Sequence, residues 1–312
     1  MFDLLMSADL STEDPDAAAT TVVEAFGLPA IRPTWIHDTP EAGVKTYFVR
    51  PHLDRANAPT TIEVIGRHPN GGWSESLQTI HRLQGDRPMK THSTVFGVPA
   101  VEPYAERLDR LGVPYHLDPG LEGPLPFPKL WVGQDHRAGL TTYDATHDVG
   151  MVVELIPTAP LVLPADVGAP PPFVAEDGAV VRVASRSFIV NDVSAAAAVI
   201  ERTFGWEPDA SASTSGVDRA RTVSYRGQLP GSGALELLQP TGDGPVATHH
   251  ARFGPGAYRI TLAVNGLGAA ADGLTGRGIG FTVDEGSDIE AARLRVDPAS
   301  ISGLVFDLVD VV

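Results

Sequence analysis

An internal repeat limits the folds open to this sequence more than any other feature does. The segment Ser7 to Leu28 aligns without a gap with the segment Ser185 to Trp206, at an offset of about 178 residues. A repeat of this kind indicates that one supersecondary unit occurs more than once in the chain. The fold must therefore accommodate similar units in both halves.

Both copies are predicted to be a strand followed by a capped helix. Asp14 and Asp192 stand where the side chain of an N-cap residue satisfies the first free N–H groups of a helix. Gly27 and Gly205 follow the last apolar helical residue, where a left-handed backbone conformation is common. Each copy thus contains the start and stop signals of one helix.

Two weaker copies of the strand, helix and glycine pattern are His92 to Gly112 and Arg259 to Gly278. A short apolar strand that carries one acidic residue closes each of the four units. These closing strands are Thr60–Ile65, Met151–Ile156, Ala234–Leu238 and Leu304–Val309. The sequence therefore predicts an α+β fold of four βαβββ modules, whose mixed sheets curl in pairs into two cup-shaped domains.

The predicted modules divide the chain into two domains. Modules 1–66 and 90–157 form an N-terminal domain, 1–157, and modules 180–240 and 256–312 form a C-terminal domain, 180–312. The segment 158–179 between them is rich in proline and has no periodicity, which is typical of a linker. Four modules in one chain complete both cups, so we expect a monomer or a homodimer.

Charge and composition exclude several classes of function. The 312 residues carry a net charge of −16, which disfavours nucleic acid and anionic membranes as partners. The sequence contains no cysteine, so any metal must be held by His, Asp, Glu or a hydroxyl group. It also lacks a phosphate-binding loop, a nucleophile elbow and an H-E-x-x-H motif. Since no basic residue precedes the apolar residues of Met1 to Leu10, we expect no secretory signal and a cytoplasmic protein.

The four modules resemble the vicinal oxygen chelate superfamily, which includes glyoxalases, bleomycin-resistance proteins and extradiol dioxygenases. The resemblance is carried by the strand-ND-helix-FGW segment at 191–206, FGL at 26–28, GMVVELIP at 150–157 and DPASISGLVFDLV at 297–309. It covers nearly the whole chain. It implies that each pair of modules closes a cup with a divalent ion at its base, held by the first and last strands of each module.

Carried over to this chain, the resemblance implies a different ligand set in each domain. The N-terminal set is Ser7, Glu63, His92 and Glu154, and the C-terminal set is Ser185, Glu236, Arg259 and Asp307, with Tyr258 as an alternative to Arg259. One imidazole and two carboxylates, Glu63, His92 and Glu154, suit Mn, Fe, Co, Ni, Zn or Mg. A guanidinium at position 259 repels a cation, so we predict no metal in the C-terminal domain and salt bridges for Glu236 and Asp307.

Aromatic side chains near the N-terminal cup are candidates for substrate contacts. A Pro/Gly-rich stretch, Leu117 to Lys129, precedes Trp131, and long loops of this kind often line binding sites. Together with Trp35, Phe127 and Tyr143, Trp131 is predicted to form an apolar wall, although ordinary core packing explains the same side chains. The adjacent His249 and His250 are predicted to be loop residues.

These features predict a small-molecule enzyme with metal-assisted lyase or isomerase chemistry in the N-terminal cup. The ion acts as a Lewis acid on two neighbouring substrate oxygens, and Glu63 or Glu154 serves as the general base. Two alternatives stay open at this point. One is a metal-free protein that binds and sequesters a small molecule, and the other is a metal-free enzyme that uses its buried acids directly.

Overall fold

A computed structural model describes residues 1–53, 58–70, 72–120, 127–135, 141–159, 175–209, 213–286 and 292–311. Strands from the first two predicted modules form one eight-stranded sheet, and strands from the last two form another. We call them the N-terminal sheet and the C-terminal sheet. Each is accompanied by three α-helices within the described residues.

The strands of the N-terminal sheet are β1 (Leu4–Thr12), β2 (Ile36–Thr39), β3 (Val44–Val49), β4 (Thr61–Arg67), β5 (Thr94–Val98), β6 (Tyr115–Asp118), β7 (Lys129–Val132) and β10 (Val153–Pro157). A separate two-stranded ribbon consists of β8 (Gln134–Asp135) and β9 (Thr142–Tyr143). The helices of this half are α1 (Pro15–Phe26), α2 (Glu75–Leu83) and α3 (Glu102–Leu111).

The strands of the C-terminal sheet are β11 (Val180–Ile189), β12 (Ser213–Ser215), β13 (Ala220–Arg226), β14 (Ala234–Pro240), β15 (Gly256–Val264), β16 (Phe281–Asp284), β17 (Arg293–Val296) and β18 (Phe306–Asp310). The helices are α4 (Val193–Phe204), α5 (Pro245–Phe253) and α6 (Leu267–Gly276).

The two sheets have the same topology. Their strand orders are β2-β3-β4-β1-β5-β10-β7-β6 and β12-β13-β14-β11-β15-β18-β17-β16. In each sheet the first strands of two modules pair antiparallel at the centre, and each first strand pairs in parallel with the closing strand of its own module. The predicted α+β class and the four βαβββ modules are confirmed.

The predicted helix signals act as the sequence indicates. The carboxylate of Asp14 accepts from the backbone N–H of Ala17, and that of Asp192 accepts from Ser194 and Ala195. Gly27 and Gly205 end their helices at φ values of 63° and 72°, in the left-handed region that favours glycine.

Helices from different halves of the chain share the two main cores. One core joins α1 to α6 and contains residues of both sheets. The other joins α3 to α4 around Trp206, whose ring centroid lies 5.0 Å from that of Phe2 and 4.9 Å from that of Phe96. Replacing a buried aromatic of this size with alanine costs roughly 3–5 kcal/mol. The first module thus packs on the fourth, and the second on the third.

The sequence pattern did not predict two helices that lie between modules. Helix α2 lies between the first two modules and α5 between the last two. The prediction that His249 and His250 are loop residues is wrong, because both lie in α5 and the helix buries His249. Most of the predicted linker, 160–174, lies outside the described residues, so the domain boundaries stay predictions. Within the described chain, no helix is long and apolar enough to cross a membrane.

Candidate functional site

The two acidic residues of the N-terminal closing strands lie on one face of the N-terminal sheet, which we call the N-terminal cup. Glu63 on β4 receives a hydrogen bond from the hydroxyl of Ser7 on β1, with an O–O distance of 2.8 Å. Glu154 on β10 receives one from the hydroxyl of Ser93, which directly precedes β5, at the same distance. Each serine stands two residues before the register partner of its glutamate. The two modules therefore build the same serine–carboxylate pair.

The structure places His92 one residue away from the position that the resemblance implies. Ser93, not His92, is equivalent to Ser7, because Glu154 pairs in register with Val95 and Glu63 pairs with Asp9. The imidazole Nδ1 of His92 lies 3.1 Å from the hydroxyl oxygen of Ser93. Burial lowers the pKa of His92 to about 4, so the ring is neutral at pH 7.

The shift of His92 has a local cause. The regular pairing of β5 with β1 begins only beyond residues 91–93, and an isolated bridge joins Ser11 to Lys90 on their other side. Because of this irregular segment, the comparison of the modules by sequence matched His92, and not Ser93, to Ser7. Within the described parts of the chain, no three His, Asp or Glu side chains are grouped so that they could hold a metal ion. The predicted trio of Glu63, His92 and Glu154 does not form such a group.

Glu63 is the more strongly perturbed of the two carboxyl groups. Its side chain is buried, and burial together with the negative charges of Glu154 and Asp9 raises its pKa to about 8. The hydrogen bond from Ser7 opposes this shift but does not overcome it. Glu63 is therefore mostly protonated at pH 7.

Glu154 lies in a different environment. Burial raises its pKa as well, but the hydroxyl of Ser93, the indole N–H of Trp131 and the positive charge of Lys129 all favour its ionised form. Among the described residues, Glu63 receives one such hydrogen bond, from Ser7. Burial raises the pKa of both neighbouring carboxyl groups, but more groups oppose the shift at Glu154 than at Glu63. Unequal surroundings of this kind can separate an acid from a base.

Asp9 is a third buried carboxyl group that sequence reasoning did not select. Burial raises its pKa to about 6, while the charge of Arg186 and hydrogen bonds from Thr91, His92 and Ser93 oppose the shift. Its carboxylate accepts from the hydroxyl of Thr91 at 2.8 Å and from the backbone N–H groups of His92 and Ser93. Asp9 thus fixes the segment that presents Ser93 to Glu154. The alternation of Ser7, Asp9 and Ser11 in β1 is the signal that would have revealed it.

Three of the four predicted substrate-binding aromatics belong to the N-terminal sheet or pack near it. Trp131 pairs in register with Glu154, and its ring is stacked on His116 with the centroids 5.4 Å apart. Trp35 is buried, and the guanidinium of Arg50 lies 4.4 Å from its ring centroid. Phe127 packs in a small apolar cluster with Leu4, Met6, Val95 and Ile156. Of these, Trp131 is the aromatic that contacts the carboxyl pair.

Tyr143 lies elsewhere. Its hydroxyl donates to Asp148 and accepts from the backbone N–H of Val152. It lines an open surface pocket with Gly112, Pro114 and His116, and the hydrogen bonds of its hydroxyl reach neither Glu63 nor Glu154. The described structure therefore does not bring Tyr143 to the carboxyl pair.

The equivalent positions of the C-terminal sheet hold an ion-pair network. The guanidinium of Arg259 lies 2.7 Å from a carboxylate oxygen of Asp218, 2.9 Å from one of Asp307 and 4.0 Å from one of Glu236. Although burial alone would raise the pKa of Asp218, Arg259, Arg293 and Arg295 hold it well below its usual range. The predicted salt bridges of Glu236 and Asp307 are confirmed.

The register of β15 decides between the two residues considered for the fourth ligand position. Arg259, not Tyr258, stands two residues before Thr261, the register partner of Asp307. Tyr258 instead packs edge-on against His249, with the ring centroids 4.8 Å apart. In the C-terminal cup a fixed positive charge therefore lies where the resemblance implies a metal ligand.

The comparisons with known proteins rest on structure alone. No family model matches the sequence, and no curated protein matches it. A triple mutant of 4-hydroxymandelate synthase from Streptomyces coelicolor is similar at a TM-score of 0.61 and 15% identity, covering 99% of this chain and 93% of that one. Methylmalonyl-CoA epimerase from Mycobacterium tuberculosis matches 45% of this chain and 94% of its own, at 18% identity and a TM-score of 0.39.

The similarity to the synthase identifies the fold of the protein. The chain has the fold of the vicinal oxygen chelate superfamily, as its sequence motifs predicted. Four modules in one chain build both sheets, and the similarity to the synthase extends over nearly the whole length of this chain.

Proposed function

We propose that this protein is a small-molecule enzyme that uses Glu63 and Glu154 as an acid–base pair in the N-terminal cup. The observation that carries the proposal is the electrostatic coupling of the buried Glu63 to the half-buried Glu154 in unequal surroundings. The chemistry that suits them is proton transfer at a carbon atom next to a carbonyl group, as in an isomerase, an epimerase or a lyase.

The surroundings of each carboxyl group support the role proposed for it. Glu154 acts as the general base, because Ser93, Trp131 and Lys129 oppose the rise that burial causes in its pKa. Glu63 is the general acid, because it keeps its proton at neutral pH. Glu154 removes a proton from substrate carbon, and Glu63 returns one to the opposite face of the carbon or to the enol oxygen. Ser7 and Ser93 hold the two carboxyl groups in position.

The side chains around the pair favour a small, partly apolar ligand. Trp131 and His116 form a stacked aromatic wall beside Glu154, and the apolar cluster around Phe127 covers one end of the same face. The overall negative charge disfavours polyanionic partners, which is consistent with a small-molecule substrate.

The divalent ion predicted for the N-terminal cup stays a prediction. The aligned donor positions hold two carboxyl groups and two serine hydroxyls, and alcohols are weak ligands for Mn, Fe, Co, Ni or Zn. The imidazole of His92 would strengthen this set of donors, but it is hydrogen-bonded to Ser93 instead. The acid–base reaction proposed for Glu63 and Glu154 therefore uses no metal ion, and the metal content of the purified protein is the direct measurement of that prediction.

The test of the acid–base pair begins with its protonation. Titrating ¹³C-glutamate-labelled protein by NMR, with Glu63→Gln and Glu154→Gln for assignment, is expected to show a carboxyl group with a pKa near 8 that is absent from Glu63→Gln. If every glutamate titrates near its ordinary value, the proposed acid is wrong.

The test of activity uses deuterium exchange. In D₂O, carbonyl compounds with an acidic neighbouring C–H bond are screened for loss of that proton signal, before and after treatment of the protein with a chelator. Exchange that survives chelation and is lost in both variants supports the proposal. Tight binding without exchange would instead favour the sequestering protein, and exchange lost on chelation would favour the metal-assisted reaction. Glu236→Gln, at the matched position of the third module, serves as the control.

A further inference from the structure

A fully buried arginine lies on the central strand β11, and its charge is coupled to that of Asp9. Arg186 on β11 has no solvent exposure. Its register partners are Leu235 on β14 and Ile260 on β15, which belong to the two different main cores. Its guanidinium lies 5.0 Å from the ring centroid of Phe188. Arg186 thus stands between the two helix pairs that join the halves of the chain.

The guanidinium of Arg186 has no hydrogen-bond acceptor among the described residues. All three of its nitrogen atoms are buried, and none has a partner. A buried charged group without hydrogen bonds costs several kcal/mol, so native structures almost always compensate it. Arg259, the other fully buried arginine of this sheet, shows the usual solution, since it is bonded to Asp218 and Asp307. Arg186 needs a partner that the described polypeptide does not supply.

The charges around Arg186 favour an anion over water as that partner. Burial lowers the pKa of Arg186 to about 10, with Asp9 opposing and Arg87 adding to the shift, so it is charged at pH 7 beside a second arginine. Arg87 itself donates to the backbone carbonyl groups of Phe253, Pro255 and Ala257. These carbonyls accept from its two terminal nitrogen atoms but do not neutralise its charge. The charged groups coupled to Arg186 are thus one carboxylate, Asp9, and a second guanidinium, Arg87.

Other buried polar atoms near Arg186 and Arg87 also lack a hydrogen-bond partner within the described chain. The Nε atoms of Arg87 and Arg186 and the Nε2 atom of His249 are all buried without a hydrogen-bond partner in the described residues. His249 is electrostatically coupled to Arg87, and burial together with that charge lowers its pKa to about 4. As a neutral ring it can donate one N–H. Donors from both halves of the chain thus lie near one another in a region with excess positive charge.

We propose that a small inorganic anion of the size of chloride binds between the two halves of the protein, at the guanidinium of Arg186 and with Arg87 beside it. The anion accepts the N–H groups of Arg186 and balances the excess positive charge. Because Arg87 belongs to the N-terminal half and Arg186 to the C-terminal half, the bound anion stabilises their association. A ligand that binds only the folded state raises the melting temperature as its concentration rises.

Thermal unfolding in chloride tests the site. Melting temperatures are measured at pH 7 and constant ionic strength while sodium gluconate is replaced by sodium chloride, for the native protein, Arg186→Met and Arg226→Met. Arg226 is the matched control, because it lies on the same sheet with a side chain that is 79% exposed. We expect a saturable rise of several degrees in the native protein and in Arg226→Met, and none in Arg186→Met. An equal melting temperature in both salts for the native protein would overturn the proposal.

Bromide provides a second measurement that needs no variant. Crystals of the native protein grown in sodium bromide are expected to show an anomalous peak at hydrogen-bonding distance from the guanidinium of Arg186. Density there without an anomalous signal would identify water and overturn the proposal, even if Arg186→Met does not fold.

Discussion

The side chains of the N-terminal cup show how neighbours of one type acquire different properties. Glu63 and Glu154 are both glutamates at equivalent strand positions, and each accepts a serine hydroxyl at 2.8 Å. Only Glu154 also has the indole N–H of Trp131 and the charge of Lys129 nearby. The difference between acid and base therefore comes from β7, the strand that supplies both of these residues.

The raised pKa of Glu63 makes stability depend on pH. Between about pH 4.5 and 8 the folded state keeps a proton that the unfolded state has released, so this group lowers the free energy of unfolding as the pH rises. Glu63→Gln removes the ionisable group and keeps the acceptor for Ser7. We expect the variant to be more stable than the native protein at pH 9, by an amount on the order of a few kcal/mol at most, with the difference shrinking toward pH 5.

Thermal denaturation from pH 5 to pH 9 measures this difference. Glu236→Gln is the control, because Arg259 lies 4.0 Å from its carboxylate and two serine hydroxyls donate to it. We expect Glu236→Gln to be destabilised rather than stabilised at high pH. A stability difference for Glu63→Gln that does not change with pH would contradict the assigned protonation.

Ser93 and His92 are distinguished by their effect on Glu154. Ser93→Ala removes a hydrogen bond that favours the carboxylate, so we expect a further rise in the pKa of Glu154 and an upward shift of the lower pH limit of any activity. His92→Ala removes a neutral ring that bonds to Ser93 and not to Glu154, and should shift that pKa much less. NMR titration of Glu154 in both variants makes the comparison. If His92→Ala changes the pKa of Glu154 as much as Ser93→Ala does, or more, the imidazole acts directly on Glu154.

At the scale of the elements, the repeat in the sequence predicted the helices better than the strand register. Caps such as Asp14 and Gly27 are local signals, so α1 and α4 begin and end where expected. The position of Ser93 depends on an irregular pairing between β1 and the segment before β5, which no local pattern encodes. Helix α5 escaped prediction because its adjacent histidines and flanking glycines resemble a loop.

The N-cap of α4 provides a measurable test of this local coding. Asp192→Ala removes the acceptor for the N–H groups of Ser194 and Ala195, and should cost about 1 kcal/mol of unfolding free energy. Ser194→Ala is the matched control in the same exposed turn and should change stability by less than about 0.5 kcal/mol. Chemical denaturation of both variants gives the values. Equal effects would show that the cap does not stabilise α4.

At the scale of the whole molecule, contacts between the two halves depend on residues that the sequence gives no reason to connect. Asp9 and Arg186 are 177 positions apart, and each looks like an isolated charge in an apolar strand. Their coupling exists only because the two sheets pack against each other. Such pairs could not be predicted from local patterns, whereas the four modules could.

Adding one methyl group at Gly256 tests the contact of Arg87 with the C-terminal half of the chain. Its φ of 134° is one that side chains rarely adopt, and a Cβ there would lie 2.9 Å from the guanidinium of Arg87. Gly256→Ala should therefore displace Arg87 from the carbonyl groups of Phe253, Pro255 and Ala257, and cost several kcal/mol through strain and lost hydrogen bonds.

A double-mutant cycle separates these two costs. In the Arg87→Met background the close contact with the guanidinium is gone, so Gly256→Ala should cost clearly less than in the native protein. Gly268→Ala is the control, since that glycine lies in α6 with no atom near its Cβ position and should be neutral or slightly stabilising. Calorimetry on the four proteins of the cycle gives the coupling energy. Additive effects of Arg87→Met and Gly256→Ala would show that the new methyl group does not act by displacing Arg87.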